Sequence, residues 1–355
     1  MILWAILGAK FLGAWGLRWD IQWHVRIGRD SFWIAPHILI YSSVTLVLLL
    51  SFGMLVRETL RRRSAPVPRP MLRLLGLVGT PGFHLAAWGI ALTVLAAPID
   101  DLWHRLFGLD VTLWSPPHLL GLAGGAINTL GCLMIAREVY PAGGQARLAA
   151  TLVAAAMLYG SLWTVSEPAF LLAYVHGGVA FYSQAILGAL LFPVALLVAA
   201  RLTSLRVAPL LMAVVLVLIG LSAELVARVG FELLQPVSVI GEEIAKDPTS
   251  PIALSNIIAR KAGRQPASSS PMVMLALLIP VLVLVGLDAR TRPRAASLGY
   301  AVTLFALVGW RLAVSPAFGP MTPGAGATLI ALILTVVAAV VGAAAGTRLS
   351  LALER

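Results

Sequence analysis

Apolar runs of about twenty residues recur along the whole of this 355-residue chain, and a run of that length is what a helix needs to cross the hydrocarbon of a bilayer. The chain is 59% hydrophobic and 12% charged, where a soluble domain carries about a quarter charged residues. A closed β-barrel would show alternating strands rather than solid apolar runs. The predicted fold class is therefore all-α: a polytopic integral membrane helical bundle of about ten transmembrane helices. The spans fall near 2–23, 36–58, 74–97, 117–136, 148–166, 179–200, 207–226, 271–287, 296–314 and 326–347. Kinks are expected at Pro81, Pro193 and Pro280.

Lysine and arginine set the orientation. One set of loops holds Arg57, Arg61, Arg62, Arg63, Arg69 and Arg73, then Arg137, Arg147, Arg201 and Arg206, then Arg290, Arg292, Arg294, Arg348 and Arg355. That set is expected to be cytoplasmic, with both termini on the same side, in a plasma (bacterial inner) membrane. The net charge of +11 then reads as topology and attraction to anionic lipid. No basic patch is interleaved with stacking aromatics, so nucleic acid is not an expected partner. The bilayer is, and other membrane subunits or further copies of this chain can join it. The first span has no basic n-region and no small-residue cleavage site, and reads as a span rather than a signal peptide. Cys132, the only cysteine, excludes an internal disulfide and a thiolate cluster.

The chain divides into a unit over 1–147, membrane helices over 148–226, an outer loop over 227–269 carrying short surface helices, and further membrane helices over 270–355. The first unit holds an internal duplication, with copies near 15–60 and 95–140. The first copy reads Asp20, Trp23-His24, Gly28, Asp30, Trp33 and Pro36-His37; the second reads Asp100-Asp101, Trp103-His104, Gly108, Asp110, Trp114 and Pro117-His118. The two histidines are thirteen residues apart in the first copy and fourteen in the second. Asp and His four apart share one helix face. The second His follows a proline in the first turn of the next helix, where proline is favoured. A short loop sets the two helices antiparallel, so three side chains converge at the outer surface. There the positive end of a helix dipole disfavours imidazolium and leaves a neutral, ligating ring.

Two triads result as candidate metal ligands: Asp20, His24 and His37, and Asp100, His104 and His118. Asp30, Asp101 and Asp110 are candidates for orienting the imidazoles. One carboxylate and two imidazoles suit copper, with zinc as the alternative occupant. Against this stands the plainer reading of a hydrogen-bonded Asp–His pair at an interface; the repetition of the triad favours metal. Trp19, Trp23, Trp33, Trp103 and Trp114 read as aromatic-belt residues. His84 is expected inside the third span and not in either triad. Glu167, Tyr174 and His176 are assigned to the outer interface. Glu224 is expected to pair with Arg311, and Gly121 with Gly125 marks close helix packing.

Over roughly residues 15–140, these motifs resemble the C subunit of particulate methane monooxygenase and ammonia monooxygenase. That copper membrane monooxygenase family carries Asp-x-x-x-His, then Arg-Asp, then Phe-Thr-Pro-Ser-His. Asp20, His24, Arg29, Asp30 and His37 stand at the matching spacings. The resemblance implies that Asp20, His24 and His37 bind one copper. It implies that Asp100, His104 and His118 form a neighbouring site in which Asp100 replaces an Asn. Three classes of function remain open from the residues: a copper-dependent oxidoreductase or monooxygenase, a copper-handling or delivery protein, and a non-catalytic accessory subunit of a larger membrane complex.

Overall fold

The computed structural model describes residues 1–28, 31–63, 70–107, 113–268 and 270–354, apart from the His104 side chain. Among the described residues the chain is a helical bundle with eight helices long and apolar enough to cross a membrane: Ala35–Arg61, Pro81–Phe107, Pro116–Val139, Gln145–His176, Gly178–Thr203, Ala208–Leu234, Pro293–Ala313 and Ala325–Glu354. It is a multi-pass membrane protein. The large apolar side chains left on its surface, such as Leu46, Leu49 and Val56 on one helix and Leu329, Ile333 and Val337 on another, form the faces a bilayer would cover.

Two of the ten expected spans fall outside that set. The first helix, α1 (Ile2–Arg26), is 25 residues long but carries Lys10, Arg18, Asp20, His24 and Arg26. The stretch 271–286 is shorter and divides into two helices, α11 (Pro271–Ala276) and α12 (Leu278–Gly286), meeting at Leu277. Pro280 explains that break, because its ring conflicts with the carbonyl four residues earlier, that of Ala276.

Three helices follow α1 to complete two hairpins: α2 (Ala35–Arg61), α3 (Pro81–Phe107) and α4 (Pro116–Val139). The third span starts at Pro81 rather than near residue 74. The residues before it form an antiparallel β-hairpin, β1 (Leu72–Leu74) and β2 (Leu77–Gly79). Its two turn residues, Leu75 and Gly76, both have positive φ, at 48° and 81°, as a two-residue hairpin turn of the twisted kind requires. Pro81 is thus the first residue of α3, not a kink, and Pro98 is the proline inside that helix.

The remaining long helices are α5 (Gln145–Ser166), α7 (Ser183–Thr203), α8 (Ala208–Leu234), α13 (Pro293–Ala313) and α14 (Ala325–Glu354). The short α6 (Ala169–His176) follows α5. Pro193 sits inside α7 and removes the N–H that would have bonded Ala189 O. There α14 comes close: a Cβ on Gly342 would lie 2.4 Å from Leu190 O and 2.9 Å from Ala189 O. Only a glycine admits that backbone contact.

The Arg-rich loops collect at one end of the bundle. Arg137 donates to Glu354 O at 2.9 Å, joining the end of α4 to the end of α14. Arg290 donates to Ser204 O at 2.8 Å, and Arg206 to Val285 O at 2.9 Å. The Arg290 guanidinium also grips Asp288 and holds that carboxyl down at about 2. At the opposite end, the loop after α8 forms α9 (Ile240–Lys246) and α10 (Pro251–Lys261). This loop covers the end of α1, whose last carbonyls lack helical partners. Val239 N donates to Ile27 O at 2.8 Å, Ser238 Oγ to Arg26 O at 2.7 Å and Asn256 Nδ2 to Val25 O at 2.9 Å.

Candidate metal centre

The hairpins α1–α2 and α3–α4 present their residues in the same places. Asp20 lies six residues before the end of α1 and Asp100 seven before the end of α3. His37 and His118 are each the third residue of the next helix, behind Ala35-Pro36 and Pro116-Pro117. Ser115 caps α4, its hydroxyl accepting from His118 N. The close contacts within the hairpins also correspond. A Cβ on Gly16 would meet Ile40 Cγ1 at 2.8 Å and one on Gly13 would meet Ser43 Oγ at 2.6 Å. In the second hairpin, a Cβ on Gly121 would meet Ala96 at 3.6 Å and one on Gly124 would meet Thr93 Oγ1 at 2.5 Å. Each contact recurs 80 or 81 residues later with the smaller partner on the other helix.

In the first hairpin the three expected ligands come together. His37 Nε2 is 3.1 Å from Asp20 Oδ1, and His24 Nδ1 is 3.5 Å from the same oxygen. One ligand atom from each of the three residues can be chosen so that all lie within 4.8 Å of one another. Ligands about 2.1 Å from one zinc-sized ion stand at most about 4.2 Å apart, so closing on an ion takes a shift of less than about 1 Å. Asp20, His24 and His37 can therefore form a metal site.

Hydrogen bonding orients the rings. His37 Nδ1 lies 3.0 Å from Ser31 O, and His24 Nδ1 lies 3.0 Å from Asp20 O. His37 Nδ1 also lies 3.4 Å from the Tyr41 hydroxyl, and its Nε2 is the nitrogen that faces Asp20 Oδ1 at 3.1 Å. A cation held there would meet a carboxylate oxygen and a neutral imidazole nitrogen, a donor pair that metal ions accept.

In the second hairpin, His118 Nε2 is 3.4 Å from Asp100 Oδ1. The pair is more open: its side chains are 32% and 30% exposed, against 17% for both His37 and Asp20. The His104 side chain, Asp30 and Asp110 lie outside the described residues. Asp101 pairs with Arg105 at 2.8 Å. A single cavity of about 610 Å³ is lined by Asp20, His24 and His37 and also by Asp100 and His118.

Other expected residues are placed differently. Trp19 and Trp23 are not belt residues; both are buried, 6.1 and 5.9 Å from the Phe231 ring of α8. Trp33 is exposed, and Trp114 Nε1 donates to Val165 O at 2.7 Å. Glu224 meets Arg18 at 3.1 Å and accepts from Gln22 at 2.9 Å, in place of the expected pairing with Arg311. Glu167 joins the same Arg18 at 3.4 Å, and Tyr174 accepts from Lys261 at 2.9 Å. His84 is buried at the start of α3, its Nε2 3.3 Å from Leu72 O, at the opposite end of that helix from Asp100. Gly125 makes no close helix contact, and the tight ones fall at Gly89, Gly124 and Gly131.

Lys10 was not singled out as a cavity residue by spacing, yet it lines the cavity and donates to Asn128 Oδ1 at 2.9 Å and Gly125 O at 3.3 Å. Its available signal was a lone ammonium in an apolar run, which in a membrane chain marks function more often than chance.

No protein-family model, no curated protein and no solved structure matches this chain. The ligand geometry therefore stands by itself as the guide to function.

Proposed function

We propose that this chain is a membrane metal protein whose two hairpins, duplicates of one ancestral unit, hold a pair of neighbouring metal ions. Asp20, His24 and His37 bind one ion; Asp100, His104 and His118 bind the other. The observation that carries the reading is the convergence of the first triad, with its ligand atoms within 4.8 Å. Copper is the preferred ion, since copper(II) exceeds zinc in affinity for nitrogen and oxygen donors, and zinc fills the sites when copper is scarce. Three protein ligands leave open positions on each ion, as chemistry at the metal requires. In an oxidoreductase or monooxygenase of the kind the motif resembles, the metal would supply the redox chemistry. This chain's residues would orient the ligands and wall the site off from lipid.

The triads face the periplasm or cell exterior and both termini lie in the cytoplasm, with α1 and the 271–286 stretch completing ten crossings. The supporting observation is that the Arg-rich loops are tied together at the end of the bundle away from the triads, as the positive-inside rule asks. Cysteines placed at Ser31 and Ser204 in a Cys132→Ala background should label from opposite sides of sealed vesicles; labelling of both from one side overturns the orientation.

Copper transit is the second reading. It is favoured by Met157 and Met274, whose thioethers suit copper(I) and which line the same cavity as the triads. Metal analysis separates the readings. Purified protein reconstituted with copper should hold two ions, and copper(II) should give a nitrogen-coordinated paramagnetic spectrum that Asp20→Asn removes from the first site. A preference for copper(I) lost on Met157→Leu would favour transit. Equal metal content in the unaltered protein and in His24→Ala, His104→Ala and the double variant would reject both.

A further inference from the structure

The cavity that carries the triads reaches Lys10, ten residues earlier on α1 than Asp20. At 1.5 Å per residue that separates the ammonium from the triad by about 15 Å along the helix. Both acceptors of Lys10, Gly125 O and Asn128 Oδ1, are neutral. An ammonium has three donors and a full charge, and an uncompensated charge within an apolar bundle is costly. Among the described residues no carboxylate lies within ion-pair distance of it. Arg18, on the same cavity, makes the contrast, since Glu224 and Glu167 both meet its guanidinium. The cavity wall is mainly apolar, with Ala14, Leu17, Ile21, Ile40, Val44 and Ile90 among its residues, and its polar groups include Arg18, already paired with glutamates, and Thr93, Ser161 and Thr164. Ser43, opposite Gly13 and so one helical turn from Lys10, adds a hydroxyl to that end of the cavity.

We propose that the cavity binds a medium-chain aliphatic monocarboxylate. Its carboxylate sits at Lys10 and Ser43, and its chain runs about 15 Å along α1 toward Asp20, His24 and His37. A carboxylate supplies the one negative charge and the acceptors that Lys10 and Ser43 lack. An alkyl chain matches the walls, and the volume of about 610 Å³ lies in the range of small-molecule sites, about 300–1,000 Å³. The head group is thereby held away from the triad and the far part of the chain is presented to it. This deepens the metal-site reading and rests on it for what the chain end meets, while the binding itself needs only Lys10 and the cavity.

The test is binding of radiolabelled dodecanoate to the full chain in lipid nanodiscs, with empty nanodiscs subtracted and dodecanol as the uncharged probe. Saturable dodecanoate binding is expected, weakened at least about tenfold by Lys10→Met, as loss of a hydrogen bond to a charged group implies. Ser43→Ala should weaken it less. Dodecanol binding should be the same in Lys10→Met and unaltered protein, which shows that the cavity still forms. Stripping the metal with a chelator should leave dodecanoate binding intact. Dodecanoate binding no greater than to empty nanodiscs, or unchanged by Lys10→Met, overturns the proposal. Absence of metal from the unaltered protein with dodecanoate binding retained would instead overturn the metal reading alone.

Discussion

The two hairpins place an aspartate near the end of one helix and a histidine at the third residue of the next, yet they differ in how far they enclose those groups. In α1–α2 the carboxylate and imidazole are 3.1 Å apart and 17% exposed; in α3–α4 they are 3.4 Å apart and about twice as exposed. The difference comes from what covers each end. The segment 238–256 is bonded to the last carbonyls of α1, and Trp19 and Trp23 lock α1 onto Phe231 of α8. At the matching position of α3, Asp101 and Arg105 are exposed and pair with each other. A repeated local motif thus acquires two environments, and the half-buried ligand set would hold an ion in a lower dielectric and with less freedom than a more open one.

That contrast can be broken by removing ligands. The largest effect is expected for Asp20→Ala. Loss of even an outer orienting group costs metal affinity about 10–100-fold, so loss of the shared ligand oxygen should exceed 100-fold at the first site. Competitive titration with a chelator measures it; an effect no greater than that of Asp100→Ala on the second site would mean that closer enclosure confers no advantage. His118→Ala should release only the second, more exposed ion, and a stoichiometry falling from two to one checks this. Loss of both ions on that single substitution would show one shared centre instead of two.

A smaller effect sharpens the same comparison in the packing. A Cβ on Gly131 would lie 2.4 Å from the backbone N of Ala86, whereas one on Gly16 would meet Ile40 Cγ1 at 2.8 Å and the Ile40 backbone N at 3.0 Å. The closer backbone clash is harder to relieve, so Gly131→Ala should cost about 1–3 kcal/mol and Gly16→Ala less, by unfolding in mixed micelles. Equal costs would mean that the two hairpins are packed alike.

Much of this was legible from residues alone, because the signals are local. Apolar runs located the helices, prolines marked their first turns, and Asp20, His24 and His37 follow from a four-residue step and a short loop. Where the reading moved, tertiary contact was responsible. The strands at 72–79 depend on a two-residue turn inside what scans as an apolar run, so they shifted the start of α3. Glu224 took Arg18 rather than Arg311 because α1 packs on α8, and two tryptophans left the belt for the same interface.

The sequence by itself determined that the chain is a bundle of apolar helices, with two like hairpins that each carry carboxylate and imidazole at helix ends. The periods of an α-helix, the place of proline in it and the length of a bilayer are properties of single segments. Only the tertiary structure decided that Asp100 and His118 share a cavity with the first triad, that Lys10 stands in that cavity with no carboxylate beside it among the described residues, and that the Asp20–His37 pair is more covered than the Asp100–His118 pair. Lipid is as apolar as the helices, so hydrophobicity does not choose which faces meet. Glycine contacts and a few polar pairs choose them, and some of those partners lie more than two hundred residues apart in the chain, as Arg18 and Glu224 do.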